Sequence, residues 1–183
     1  MAKETLLTEE ILYDGAILSL GRQTVVLADG RRALREVVHT TGSAGVLALD
    51  GAKRALFVRQ WRAPLQQATL ELLAGRIEVG EAPLVTAQRE LNEEGGLAAD
   101  DWQPLSTFYQ AAGFSDAQCH LFVARGLHRL AHKRPQDDGE AVVGEWLTLE
   151  EAHVQQAAGV ICDAKTVLGL ALWANLGGED DGR

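Results

Sequence analysis

An α/β sandwich with helices on the sheet faces is the fold class the sequence predicts. Three observations predict it. Short β-rich runs punctuated by Asp-Gly pairs fill the first half, and helical spacing appears in three places after them. The chain has 183 residues and is 46% hydrophobic, which suits one domain with a real core. It contains no repeat and no apolar stretch of about twenty residues, so no transmembrane helix is expected.

The elements follow in order. Asp14-Gly15, Asp29-Gly30 and Asp50-Gly51 are hairpin signals. Around them Thr24–Leu27, Ala33–His39, Gly45–Leu49 and Ala55–Arg59 read as strands. Residues 1–42 are expected to form a separate antiparallel β unit, residues 43–178 the main domain, and residues 179–183 a frayed tail. Thr69–Leu73 reads as another short strand. Pro83 fits the first turn of a helix, and Gly95 and Gly96 fit its stop. Between them Leu84, Ala87 and Leu91 fall at helical spacing and are expected to face a core. Ser106–Tyr109, His120–Ala124 and Val142–Leu147 read as strands. Thr148 and Glu151 make a capping box for a helix ending near Gly159. Asp163 caps a final helix whose apolar face is Val167, Leu168, Leu170, Ala171 and Leu172.

Charge and cysteine content exclude several classes. A net charge of −9 argues against non-specific binding to nucleic acid or an anionic membrane. Cys119 and Cys162 lack metal or redox spacing and read as reduced thiols. The opening MAKETLLTEE has no signal-peptide apolar region, so a cytoplasmic location is expected.

The stretch GRIEVGEAPLVTAQRELNEEGGL, residues 75–97, poses a problem: Glu90, Glu93 and Glu94 crowd the last turn of its helix. The macrodipole leaves that end partly negative, so acids there cost a few tenths to about 1 kcal/mol each. Glu90 and Glu94 also repel as an i,i+4 pair by roughly 0.2–0.5 kcal/mol. Arg89 can offset part of this by reaching Glu93. One reading is a solvated acidic face. The other is a divalent-cation site, since Mg²⁺ takes oxygen ligands and carboxylates at i and i+4 share a face. An acidic chain that binds a phosphate ester needs local Arg or Lys, or metal ions. Arg59 and Arg62, flanking Gln60-Trp61, are candidates for a cationic phosphate pocket, with Trp61 a candidate for stacking on a base. Their alternative is an exposed strand end and ordinary packing.

The same stretch resembles the signature of the Nudix hydrolases, G-x5-E-x7-R-E-U-x-E-E-x-G-U, where U is a bulky aliphatic residue. Gly75, Glu81, Arg89, Glu90, Leu91, Glu93, Glu94, Gly96 and Leu97 fill its positions. Beyond it, REVVHTTGSAGVLALD, LFVRQWRAPLQQATLELLAGRIEVGE, GFSDAQCHLFVA and DAKTVLGLALW are similar to the ADP-ribose pyrophosphatase branch of that family. Leu73 stands where that branch usually has proline, and the run Ala111–Ala117 departs from its S-P-G-x-[ST]-D-E. The expected substrate therefore widens from ADP-ribose to another ADP- or NDP-sugar.

The resemblance implies a Nudix-type α/β/α sandwich with a mixed sheet. It implies hydrolysis of the pyrophosphate bond of a nucleoside diphosphate derivative, giving a nucleoside monophosphate and a sugar phosphate. The expected cofactor is Mg²⁺, with Mn²⁺ a substitute, and the expected assembly is a homodimer built through residues 1–42. Implied metal ligands are Glu90, Glu94 and the Ala74 carbonyl, with Glu93 a ligand or close support and Glu71 acting through a bound water. Gly75 is expected to let the backbone approach the metals. Arg89 is expected to orient carboxylates, and Glu81 to be structural at the helix N-terminus. Glu140 is the implied general base, with Asp138 in reserve; Phe114 and Ser115 are expected to line the substrate pocket. Competing functions are hydrolysis of nucleoside triphosphates, oxidised ones included, and non-catalytic sensing of a nucleotide sugar. The complete set of carboxylates in residues 75–97 speaks against the sensor.

Overall fold

The computed structural model describes residues 3–132, 134–135 and 142–176. The chain divides into two units: residues 1–42 with 108–118, and residues 43–107 with 119–183.

In the first unit, strands β1 (Thr5–Asp14), β2 (Ser19–Val26) and β3 (Arg32–His39) form an antiparallel sheet in the order β1-β2-β3. Residues 108–118 join it through backbone. The Val38 N–H donates to the Phe114 carbonyl at 2.8 Å, and Ser115 Oγ donates to the Val38 carbonyl at 3.0 Å. At the end of β3, the His39 ring lies between two carboxylates, with Nδ1 2.5 Å from Asp116 Oδ2 and Nε2 2.8 Å from Glu9 Oε1. A neutral imidazole has one N–H to give, so two acceptors favour the imidazolium. The hydrogen bonds from Asp116 and Glu9 raise the His39 pKa above its ordinary 6.5, against the opposing effect of burial. A raised folded-state pKa means that this stabilisation is full below 6.5 and is lost as pH climbs through the folded value. We expect wild-type thermal stability to fall relative to His39→Gln across that rise. Parallel melting curves for the two proteins would refute it.

The second unit carries a mixed sheet in the order β7-β8-β4-β6-β5-β9. Its strands are β4 (Ser43–Ala48), β5 (Ala55–Arg62), β6 (Gln67–Arg76), β7 (Leu97–Tyr109), β8 (Gln118–Arg129) and β9 (Val143–Leu147). Strand β4 runs parallel to β8 and antiparallel to β6; β5 is antiparallel to both β6 and β9. The Asp50-Gly51 turn is therefore not a simple hairpin. It joins β4 to β5, but β6 lies between them in the sheet, and an isolated Leu49–Ala55 bridge closes the turn. Asp50 Oδ1 accepts from the Ala52 and Arg54 N–H groups, both at 2.9 Å. Strand β7 extends well before Ser106. Its charged Asp100-Asp101 and its Pro104 hide the β pattern, and both are tolerated because β7 is an edge strand.

Strand β6 changes partner along its length. Gln67–Leu72 pairs with β5, and Leu73–Arg76 pairs with β4. The N–H groups of Leu70 and Leu72 still need acceptors. Val160 O accepts the first at 3.1 Å and Thr166 Oγ1 the second at 2.9 Å. Helix α3 (Ala164–Leu176) is thereby stitched to the strand at its first turn.

Alternation along β6 builds two cores. Leu70 and Leu72 join Leu47, Phe57, Leu121, Ile161, Leu170 and Trp173 on the face of α2 (Leu149–Ala157) and α3. Leu73 joins Ala44, Val46, Val58, Ala87 and Leu91 on the face of α1 (Pro83–Gly95). Leu84 does not face the core; it is 37% exposed in the first turn of α1. Thr86 is buried instead, its Oγ1 donating to Glu81 Oε2 at 2.7 Å. Gly96 ends α1 in the left-handed region, φ 65°, as a helix stop requires. The Thr148–Glu151 capping box forms, and Asp163 Oδ2 accepts from the Thr166 N–H at 3.2 Å. On α3, Leu170 is buried, but Ala171 is exposed and Trp173 takes the core position. Among the described residues no helix is long and apolar enough to cross a membrane.

Candidate active site

The last turn of α1 lies against the end of β6. Glu90 and Glu94 are each 6% exposed, so their carboxylates are buried rather than solvated. The Ala74 N–H donates to Glu94 Oε2 at 3.1 Å, which ties the helix end to the strand beside the Ala74 carbonyl. A Cβ on Gly75 would fall inside the Glu90 carboxylate, so the glycine is the space that Glu90 fills. The residue's role here is close approach rather than an unusual backbone angle.

Arg89 explains how the acids tolerate one another. Its guanidinium reaches Glu90 Oε1 at 2.5 Å, Glu93 Oε2 at 2.9 Å and Glu81 Oε1 at 3.2 Å, and also donates to the Arg76 carbonyl at 3.0 Å. Burial works against its charge, but Glu81, Glu90 and Glu93 outweigh that and raise its pKa. Glu81 is held at about 2, first by Arg89, then by Thr86 and the Glu78 N–H, with burial opposing. Its bonds brace the start of α1 against Arg89.

Among the described residues no three His, Cys, Asp or Glu side chains form a metal-holding group. Arg89 draws Glu90 and Glu93, while the Ala74 N–H draws Glu94. The donor chemistry nevertheless fits a hard divalent ion. Every available donor is oxygen, two of the carboxylates are buried, and a backbone carbonyl adjoins them.

A second charged cluster gathers on Glu71, midway along the same strand. Glu71 is 1% exposed and receives four donors. Arg62 gives Nε to Oε1 at 2.7 Å and Nη2 to Oε2 at 2.6 Å, and Thr69 Oγ1 gives to Oε1 at 2.7 Å. Lys165 Nζ forms a short bond to Oε2. Burial raises the Glu71 pKa, but Arg62, Lys165 and Thr69 overcome it and hold the carboxyl at about 2. A carboxylate offers about four lone-pair sites, so Glu71 has little capacity left for a water-mediated metal contact. Arg59 pairs with Glu145 Oε2 at 3.0 Å, and Trp61 is 61% exposed.

Phe114 and Ser115 belong to the first unit, where Phe114 is 58% exposed and Ser115 holds β3. Glu140 and Asp138 lie outside the described residues. Sequence reasoning passed over Lys165, and over Asp163 except as a helix cap. One signal was present: a lysine in the first turn of an apolar helix, where the dipole disfavours a cation.

Comparisons with known proteins follow the same lines. The model of the NUDIX domain family matches residues 39–168. The chain is 35% identical over 164 residues to an ADP-ribose pyrophosphatase of Bacillus subtilis (strain 168), covering 90% of this chain and 89% of that protein. It is 36% identical over 166 residues to the methanol dehydrogenase activator of Bacillus methanolicus, covering 91% and 89%. A Mycobacterium tuberculosis (strain ATCC 25618 / H37Rv) ADP-ribose pyrophosphatase is 33% identical over 165 residues, covering 90% and 80%. Among solved structures, that of an ADP compounds hydrolase superposes with a TM-score of 0.82, covers 96% of each chain and is 21% identical; it bears on the fold alone.

Proposed function

The chain belongs to the NUDIX family and is a pyrophosphohydrolase, and from that premise we propose that it hydrolyses ADP-ribose or another ADP- or NDP-sugar. The products are a nucleoside monophosphate and a sugar phosphate. The observation that carries the reading is the buried pair Glu90 and Glu94 beside Ala74 and Gly75, with Glu93 on the same turn. The names of the relatives, two of them ADP-ribose pyrophosphatases, support the substrate class.

The reading assigns Glu90, Glu93, Glu94 and the Ala74 carbonyl to Mg²⁺. Bound there, Mg²⁺ would neutralise the diphosphate and lower the pKa of an attacking water. The protein's own part is positional. Arg89 holds the Glu90 and Glu93 carboxylates in place through its hydrogen bonds to them. Arg59 and Arg62 supply positive charge to the phosphates, and Trp61 a face for the base. Glu71 serves as the anchor of Arg62. Glu140 is assigned as the base that accepts the proton of the attacking water.

The first unit supports assembly as a homodimer. Strand β1 exposes Leu6, Leu7, Ile11, Leu12 and Tyr13, all more than 40% accessible, which is apolar surface of the kind a second copy covers.

The test is product identification on a panel of ADP-ribose, ADP-glucose, GDP-mannose, a dinucleoside polyphosphate and dGTP, with Mg²⁺ or Mn²⁺. We expect AMP with ribose 5-phosphate or glucose 1-phosphate from the ADP-sugars, faster than any product from dGTP. Preferred release of pyrophosphate from dGTP would overturn the reading. So would tight binding without hydrolysis across the whole panel.

A further inference from the structure

Lys165 is the most deeply committed cation of the second unit that the proposed chemistry has not used. Its side chain is 8% exposed, and it ion-pairs with Glu71 and, at 2.9 Å, with Asp163 Oδ2. Burial works against its charge, but Asp163 and Glu71 outweigh that and keep the ammonium well formed.

The geometry explains why it is there. Leu72 is the last β6 residue paired with β5, and Leu73 the first paired with β4. Glu71 lies at that parting, where α3 approaches the strand through Thr166. Lys165 takes one side of the Glu71 carboxylate and Thr69 the other, which leaves both oxygens presented to Arg62. Arg62 is bound edge-on through Nε and Nη2 while its side chain stays 40% exposed, and its Nη1 has no partner among the described residues. Two acids, Glu71 and Asp163, balance two bases, Arg62 and Lys165. Removing the lysine leaves an excess negative charge next to Arg62 in a region already facing the field of Glu94.

We propose that Lys165 is a positioning residue: by fixing Glu71 it holds Arg62 with one guanidinium edge presented to a phosphate of the substrate. This rests on the reading that the site takes a nucleoside diphosphate derivative. Lys165 itself contacts no substrate. Without it, Glu71 keeps a single strong cation and draws Arg62 inward, so that the free guanidinium edge no longer meets the diphosphate.

The test is a double-mutant cycle on the whole chain, with KM and kcat for ADP-ribose in Mg²⁺ and, separately, ADP affinity by calorimetry in EDTA. Lys165→Met and Arg62→Met are each expected to raise KM and weaken ADP binding by about tenfold, with kcat changed by less than about threefold. The double variant is expected to be no worse than Arg62→Met, because both changes remove one interaction. Effects that multiply, or a Lys165→Met protein with wild-type KM and ADP affinity, would overturn the proposal. Should Lys165→Met fail to fold, Thr69→Val loosens the same carboxylate without changing charge and runs through the same cycle with smaller effects. A wild-type protein that hydrolyses no ADP-sugar would sink the functional reading instead. The ADP calorimetry would still decide whether Lys165 acts through Arg62.

Discussion

Glu94→Gln is expected to lower kcat on an ADP-sugar by about 10²–10³ and to leave the fold intact. The substitution is close to isosteric. The glutamine side-chain oxygen can still accept the Ala74 N–H that Glu94 now takes at 3.1 Å, so the seam between α1 and β6 survives. What disappears is one buried negative charge. The helix end gains slightly from this, because Glu90 loses an i,i+4 like-charge neighbour worth roughly 0.2–0.5 kcal/mol. A protein that is as stable as wild type but slow therefore separates a functional carboxylate from a structural one. The measurements are kcat at saturating Mg²⁺ and a urea unfolding curve. Unchanged Mg²⁺-dependent turnover would remove Glu94 from the metal site.

Gly75→Ala is expected to produce a comparable loss by displacing a neighbour rather than altering it. The new Cβ falls where the Glu90 carboxylate sits. The atoms in its way are the far end of a flexible side chain, so the fold can yield at small cost. Glu90 cannot yield without leaving Arg89 Nη1, now at 2.5 Å, and the neighbourhood of Ala74. We expect turnover to fall by about 10²-fold or more, in line with the loss of one preorganised electrostatic contact, with unfolding free energy reduced by about 1 kcal/mol. The pairing Gly75↔Ala44 on β4 should persist, since alanine is less costly within a strand than the glycine it replaces. Near-normal kcat in the alanine variant would mean that Glu90 has no fixed place in the chemistry.

Local chemistry was readable from the sequence, and long-range chemistry was not. Pro83, the paired glycines after Glu94 and the Thr148–Glu151 capping box act within a few residues of themselves. The helices begin and end where those residues require. The same holds for the carboxylates of residues 75–97, whose spacing on one helix is fixed by its period. Arg89 was expected to reach Glu93 and does, but its bonds to Glu90 and Glu81 needed the fold of the approach loop. The Asp50-Gly51 turn misled because a hairpin signal describes a chain reversal and not which strand fills the gap. Leu84 misled because helical spacing names a face but not how far along the helix the core extends. Glu71 and Lys165 are separated by 94 positions. Their ion pair depends on β6 exchanging neighbours, a property of the assembled sheet that neither local sequence carries.

That exchange has a consequence for how the molecule can vary. One strand carries the Glu71 anchor and, three residues on, the Ala74–Gly75 corner. Side chains alternate along a strand, so deleting or inserting a single residue between them would turn one of the two clusters to the opposite side of the sheet. Point substitutions can tune either cluster separately, whereas a change of length at Leu72–Leu73 would disable whichever cluster it rotated. Natural length variation in this molecule should therefore collect in its turns and spare that short run.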